Sequence, residues 1–296
     1  MSTPRFLDLP PGVTPQKIES SQGTFAVLEA LPVNGVVERW PALLLPGVTG
    51  SKEDFIAVLM TLAQSGRRVV AIDLRGQYET PGPDDPAAYT CAALGADVDS
   101  LAQVIGGGDP VHLVGHSFGG LVGREAVIDG RTKFASFTLM GSGPGAIEGK
   151  RAHNGRKILE EVPVLGLEHV WHSRFEPDAL AADVPDEILR FLHKRLLANA
   201  PTALACMTEQ VLTMHDRTDE LCQIEVSTLV LYGEHDDGWP PDAQSEMAAR
   251  LQAECVVVPG AVHSPAVEAP ETTAAALVRF WNSAEKHYLD IRPKAM

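Results

Sequence analysis

Apolar residues fall along this chain in short unbroken runs closed by turn residues. Such runs are GTFAVLEALP at 23–32, PALLLPG at 41–47, RRVVAIDLRG at 67–76, VHLVGH at 111–116 and FASFTLMGSG at 134–143. Continuous rather than alternating apolar character predicts strands buried on both faces. Between them lie stretches of helical spacing: 52–65, with Phe55, Val58, Leu59 and Leu62 on one face, 87–105, stopped by Gly106-Gly107-Gly108, and a segment from Ser117 to about Ile128. Strands alternating with helices predict an α/β fold, a doubly wound, mostly parallel sheet covered on both faces.

The rhythm changes after Ser142. Up to about Glu220 the chain offers helix-like segments, PDEILRFLHKRLLANA and TALACMTEQVLTMH among them, and no clear buried strand. Strand-like runs return at 227–236 (STLVLYGEHD) and 254–260 (ECVVVPG), with helices predicted at 241–253 and 270–288. The expected organisation is therefore a core of 1–142 and 221–296 with a helical cap inserted at 143–220.

One stretch has poor helical chemistry where a helix is expected. Gly119, Gly120 and Gly123 follow Ser117 within six residues, and each glycine in a helix interior costs about 1 kcal/mol relative to alanine. The stretch contains Gly115-His116-Ser117-Phe118-Gly119, the only G-x-S-x-G of the chain. Between a strand and a helix, that pattern places the serine on a sharp turn that exposes its hydroxyl. A serine hydroxyl needs a base, and the base an orienting acid. Asp236 or Asp237 supplies the acid just past one strand-like run, and His263 supplies the base just past the next. In doubly wound sheets the loops after the strands line the functional crevice. Adjacent residues point apart, and the sequence alone does not choose between Asp236, the expected acid, and Asp237. Asp73, at another strand end, reads as a turn or structural carboxylate.

These residues carry a resemblance. With GHSFG at 115–119, GEHD at 233–236, PGAVHSPAVEAPE around His263 and LLLPGVTGS at 43–51, the chain resembles the α/β-hydrolases over about 22–142 and 221–285. The resemblance implies Ser117, His263 and Asp236 as a catalytic triad and backbone N–H groups of Val48 and Phe118 as an oxyanion hole. It further implies a serine hydrolase that cleaves a carboxylic ester, thioester or lactone of a small, fairly apolar molecule through an acyl-enzyme. Carbon–carbon bond hydrolysis, cofactor-free perhydrolysis and a ligand receptor retaining the fold are the alternatives. Pro46-Gly47 stands where the family usually has His-Gly, and Gln77-Tyr78-Glu79 follows DLRG where a small Gly-rich turn is common. Leu165, Leu167, Val170, Trp171 and Phe175 of the cap, with Trp239, are the apolar candidates for a pocket wall.

Composition narrows the partners. The chain has 296 residues, 45% of them hydrophobic, with 24 Lys and Arg against 39 Asp and Glu and a formal charge of −15. That balance disfavours nucleic acid and anionic membranes. The expected partners are a small-molecule substrate, no nucleic acid and no membrane, with a homodimer left open and the cytoplasm as location. Cys91, Cys206, Cys222 and Cys255 are far apart with no CxxC pair, and are expected as buried reduced thiols. His169 and His172 stand three apart without a further ligand at matching sequence spacing, so no metal site and no organic cofactor are expected.

Overall fold

The computed structural model describes residues 1–291. The chain opens with β1 (Val13–Ser20), β2 (Gly23–Ala30) and β3 (Ala42–Leu45), then α1 (Ile56–Ala63), β4 (Val69–Ile72), α2 (Cys91–Gly106) and β5 (Val111–His116). It continues through α3 (Phe118–Asp129) and β6 (Phe134–Met140) into a helical stretch of α4 (Gly149–Val170), a π-helical turn (Trp171–Phe175), α5 (Glu176–Ala181), α6 (Asp186–Leu197), α7 (Pro201–Thr213) and α8 (Thr218–Leu221). The sheet then resumes with β7 (Ser227–Gly233), α9 (Pro241–Leu251), β8 (Glu254–Val258), α10 (Pro265–Glu268) and α11 (Pro270–Ile291).

The strands form one eight-stranded sheet in the order β1-β2-β4-β3-β5-β6-β7-β8. β1 pairs with β2 and β2 with β4 antiparallel; the other neighbours are all parallel. Strands β3 to β6 are buried at every position, which is why they read as continuous apolar runs. β1 escapes that reading. It lies at the edge, and only Val13 and Ile18 of VTPQKIES are buried.

A polar cluster ties the last helix to the sheet. His112 on β5 stacks on Trp281 of α11 at 5.2 Å between ring centroids. Its Nε2 donates to Glu285 Oε1 at 3.2 Å, and its Nδ1 accepts from the Ser136 hydroxyl at 2.8 Å. Glu285 also accepts from Arg67 at 2.8 Å and Arg39 at 2.9 Å. Burial raises the carboxyl, but His112 and Arg67 outweigh it and hold Glu285 at about 2. Burial pushes His112 down to about 4, so the ring is neutral and uses both nitrogens as neutral imidazole can.

The cysteines depart from expectation. Only Cys91 is buried, and burial pushes its thiol up to about 12. Cys206 is half-buried, and Cys222 and Cys255 are exposed, all four as free thiols. Cys222 follows the short surface helix α8, and Cys255 sits on β8, an edge strand with little of its length covered.

His112 makes stability pH-dependent. In the unfolded chain a histidine takes up a proton as pH falls through about 6.5, whereas the folded ring resists until about 4. Stability from keeping it neutral is therefore present above pH 6.5 and is lost between 6.5 and 4. The gap in unfolding free energy between wild type and His112→Asn should narrow by about 2 kcal/mol from pH 7 to pH 5. Urea titrations at the two pH values measure it, and a gap independent of pH contradicts the assignment.

Candidate active site

Ser117 connects β5 to α3 with φ 53° and ψ −119°, a backbone conformation that non-glycine residues rarely adopt. Its N–H donates to the Met140 carbonyl at 2.9 Å, and its own carbonyl accepts from the Gly120 N–H at 2.9 Å. The flanking glycines are there for space. A Cβ on Gly115 would lie 2.3 Å from the Gly119 carbonyl oxygen, and one on Gly119 would lie 2.6 Å from the carbonyl oxygens of Leu45 and Pro46. The turn can pack against α3 and β3 only if both positions lack a side chain.

His263 comes from the loop after β8. Its Nε2 lies 3.0 Å from Ser117 Oγ and its Nδ1 lies 2.9 Å from Asp236 Oδ1. The Asp236 carboxylate accepts a hydrogen bond from Nδ1–H, which fixes that proton on Nδ1 and leaves Nε2 with a lone pair toward the serine hydroxyl. Asp236, after β7, also accepts from the Gly238 N–H at 2.8 Å and from Gln244 Nε2 at 3.0 Å. Burial would raise its carboxyl, but these bonds and the His263 ring hold it below the usual range. Asp237 is exposed and pairs with Arg151 Nη2 at 2.6 Å; it lines the same cavity, with a carboxylate oxygen within 4.8 Å of donor atoms of His263 and Asp236. The hydrogen bonds thus link Ser117, His263 and Asp236 in one chain, and the bonds of Asp237 go to Arg151 instead. Asp73 is buried at the end of β4, accepting from Lys52 Nζ and the Lys52 N–H at 2.8 Å.

Three residues with no assigned part in the sequence reading hold this arrangement. His116 Nε2 donates to the His263 carbonyl at 2.8 Å. Burial pushes His116 down to about 3, with the neighbouring His263 adding to the effect. The fully buried Gln244 fixes Asp236 and also donates to the Trp239 carbonyl at 2.8 Å. Gln77 Nε2 donates to the carbonyls of Gly47 at 2.8 Å and Val48 at 2.9 Å, while its Oε1 accepts from the Leu74 N–H. A trans peptide points its C=O and N–H in opposite directions. The Gly47 carbonyl faces Gln77, so the Val48 N–H of the same peptide faces away from it. Gly47 is packed against Ser117: a Cβ added there would lie 3.5 Å from the serine Oγ. Phe118 is the first residue of α3, where backbone N–H groups lack partners within the helix.

A cavity of about 280 Å³ opens over Ser117. Of the apolar residues singled out in the sequence, Phe175 and Trp239 line it. Leu167, Val170 and Trp171 instead pack in a separate cluster with α6 residues such as Ile188 and Leu192, and Leu165 is exposed. The cavity wall is more polar than expected, since Lys150, Arg151 and Arg174 join Val48, Ile158 and Val211. The helical stretch is fastened to the core beside this wall. Arg195 of α6 donates to Asp54 Oδ1 and to the Ser2 carbonyl, each at 2.7 Å, with both charged side chains buried.

A family model described as "Alpha/beta hydrolase family" matches residues 42–276. The chain belongs to the α/β-hydrolase family. It is 32% identical over 113 residues to a proline iminopeptidase of Lactobacillus delbrueckii subsp. lactis, a match covering 37% of this chain and 38% of that protein. The chain thus spans about two-fifths of the length of the first curated relatives it matches. Lipase 1 of Psychrobacter immobilis is 25% identical over 254 residues, covering 81% of this chain and 76% of the relative. An esterase structure from Thermogutta terrifontis superposes with a TM-score of 0.71 at 23% identity, covering 92% of this chain and 99% of that one. No described helix is long and apolar enough to cross a membrane.

Asp236 and Asp237 separate in a simple comparison. Asp236→Asn should lower hydrolytic turnover by about 10⁴-fold, whereas Asp237→Asn should leave it within a few-fold. Steady-state rates on one ester measure both, and the reverse ranking would move the acid to position 237.

Proposed function

We propose that this protein is an enzyme, a serine hydrolase of small carboxylic esters, thioesters or lactones. The observation that carries the reading is the hydrogen-bonded chain Ser117 Oγ to His263 Nε2 and His263 Nδ1 to Asp236 Oδ1, at 3.0 and 2.9 Å. In the reaction proposed, the Ser117 oxygen attacks the substrate carbonyl while His263 Nε2 takes its proton. Asp236 keeps the ring in the required tautomer and stabilises its charged form. The carbonyl oxygen becomes an oxyanion and accepts hydrogen bonds from the N–H groups of Val48 and Phe118. Two such donors aimed at developing charge are worth several kcal/mol. His263 then returns the proton to the departing alcohol, thiol or ring oxygen, leaving an acyl group on Ser117. Water enters, His263 takes a proton from it, and the acid is released with the serine restored.

The departure at Pro46 is compatible with this role, because the donating group is the Val48 N–H two residues later. Gln77, in the loop that departs from the family pattern, supports it by fixing the direction of that peptide. The helices from Gly149 to Leu221 act as the cap, since their side chains close the cavity over Ser117. A lipase, an esterase and an iminopeptidase among the similar proteins favour attack on a carbonyl. A cavity of about 280 Å³ favours short acyl groups, and the cations on its wall favour polar substrates over long-chain lipids.

Hydrolysis of p-nitrophenyl esters from acetate to octanoate tests the reading. Wild type should turn over, fastest on the short esters, and Ser117→Ala should lower kcat by at least about 10³-fold. An alanine variant as active as wild type would overturn it.

A further inference from the structure

We propose that Glu168, His172 and His193 form a site for one divalent transition-metal ion of the zinc type, on the helical stretch and separate from Ser117. Glu168 and His172 lie one helical turn apart, where α4 passes into the π-helical turn, and His193 faces them from α6. Glu168 Oε1 is 3.2 Å from His172 Nε2 and 3.0 Å from His193 Nε2, and the three donor atoms all lie within 4.8 Å of one another. Zinc binds imidazole nitrogen and carboxylate oxygen at about 2.0–2.2 Å with tetrahedral angles, which puts neighbouring donors about 3.3 Å apart. Two of the three edges already have that spacing.

The surroundings also suit an ion. The other ring nitrogen of His172, Nδ1, lies 2.6 Å from Glu176 Oε2. A carboxylate there orients the ring and leaves Nε2 as the ligand atom, the outer-shell arrangement of many histidine–metal sites. The His193 ring rests on the buried Trp171 at 5.0 Å between centroids. Glu168 and His172 are about half exposed, with side-chain accessibilities of 57% and 55%, so an ion can enter and solvent can fill its remaining positions. Two imidazoles and one carboxylate select zinc, nickel or copper over magnesium and calcium, which take oxygen donors.

The histidine pair visible in the sequence points to this site only in part. His169 turns aside toward Glu161, 4.0 Å away, and the partners of His172 are Glu168, four residues earlier, and the distant His193. An ion at this position clamps the end of α4 to α6. It thereby pins the Trp171–Phe175 turn, whose Arg174 and Phe175 line the cavity.

Calorimetric titration of chelator-stripped full-length protein with zinc chloride tests the site. Wild type should bind zinc saturably at one equivalent per chain, and magnesium chloride should give no binding. His172→Ala and His193→Ala, each checked for native circular dichroism, should weaken zinc binding at least about tenfold. His263→Ala and Cys222→Ser should bind as wild type does. The proposal is overturned if wild type shows no saturable zinc binding, or if both cap variants bind zinc as wild type does. Loss of binding in His263→Ala or Cys222→Ser instead also overturns it.

Discussion

The site depends on one strained turn. Ser117 occupies a backbone region that costs a non-glycine residue on the order of 1–3 kcal/mol, and it stays there because its surroundings allow no other path. Its N–H is committed to Met140 on β6, its carbonyl to Gly120 on α3, and the two flanking glycines touch backbone oxygens of β3, the following loop and α3. Energy spread over the central strands thus holds one hydroxyl in place. The same contacts account for glycines that a helix would otherwise reject.

Around that turn, strand ends supply the partners and buried polar side chains set their directions. β7 delivers Asp236, β8 delivers His263, and the loop after β3 delivers the Val48 peptide. Gln244, His116 and Gln77 then fix a carboxylate, a histidine main chain and a peptide plane in turn. Each of these three is nearly or fully buried, with exposures of 0%, 4% and 1%. Buried amides and a neutral imidazole that donate to fixed acceptors are costly to disturb, so a second layer of this kind gives the first layer its precision. His116 serves this purpose because burial keeps it uncharged.

Much of this was legible in the chain. Strands buried on both faces announce themselves as apolar runs, and G-x-S-x-G between such a run and a helix locates Ser117. His263 follows from its place after ECVVVPG, whose apolar character marks a strand even though β8 lies at the edge and is mostly exposed. The choice between Asp236 and Asp237 turns on which way a side chain points, and a stretch of loop carries no periodicity to say so. β1 was silent because an edge strand buries too little to show a pattern. The roles of Gln77, Gln244 and His116 were silent because positioning residues obey three-dimensional geometry rather than any spacing. Which of the apolar residues between 165 and 175 line the cavity was left open for a similar reason: Trp171 at the packed interface with α6 and Phe175 at the cavity differ by about one turn of helix.

The central claim is that Ser117 is a nucleophile made reactive by His263. Intact-mass and peptide mass spectrometry after exposure to a fluorophosphonate measures this directly. One adduct per chain is expected, located on Ser117 and forming far more slowly in His263→Ala. An unmodified chain, or an adduct on another residue, would contradict it.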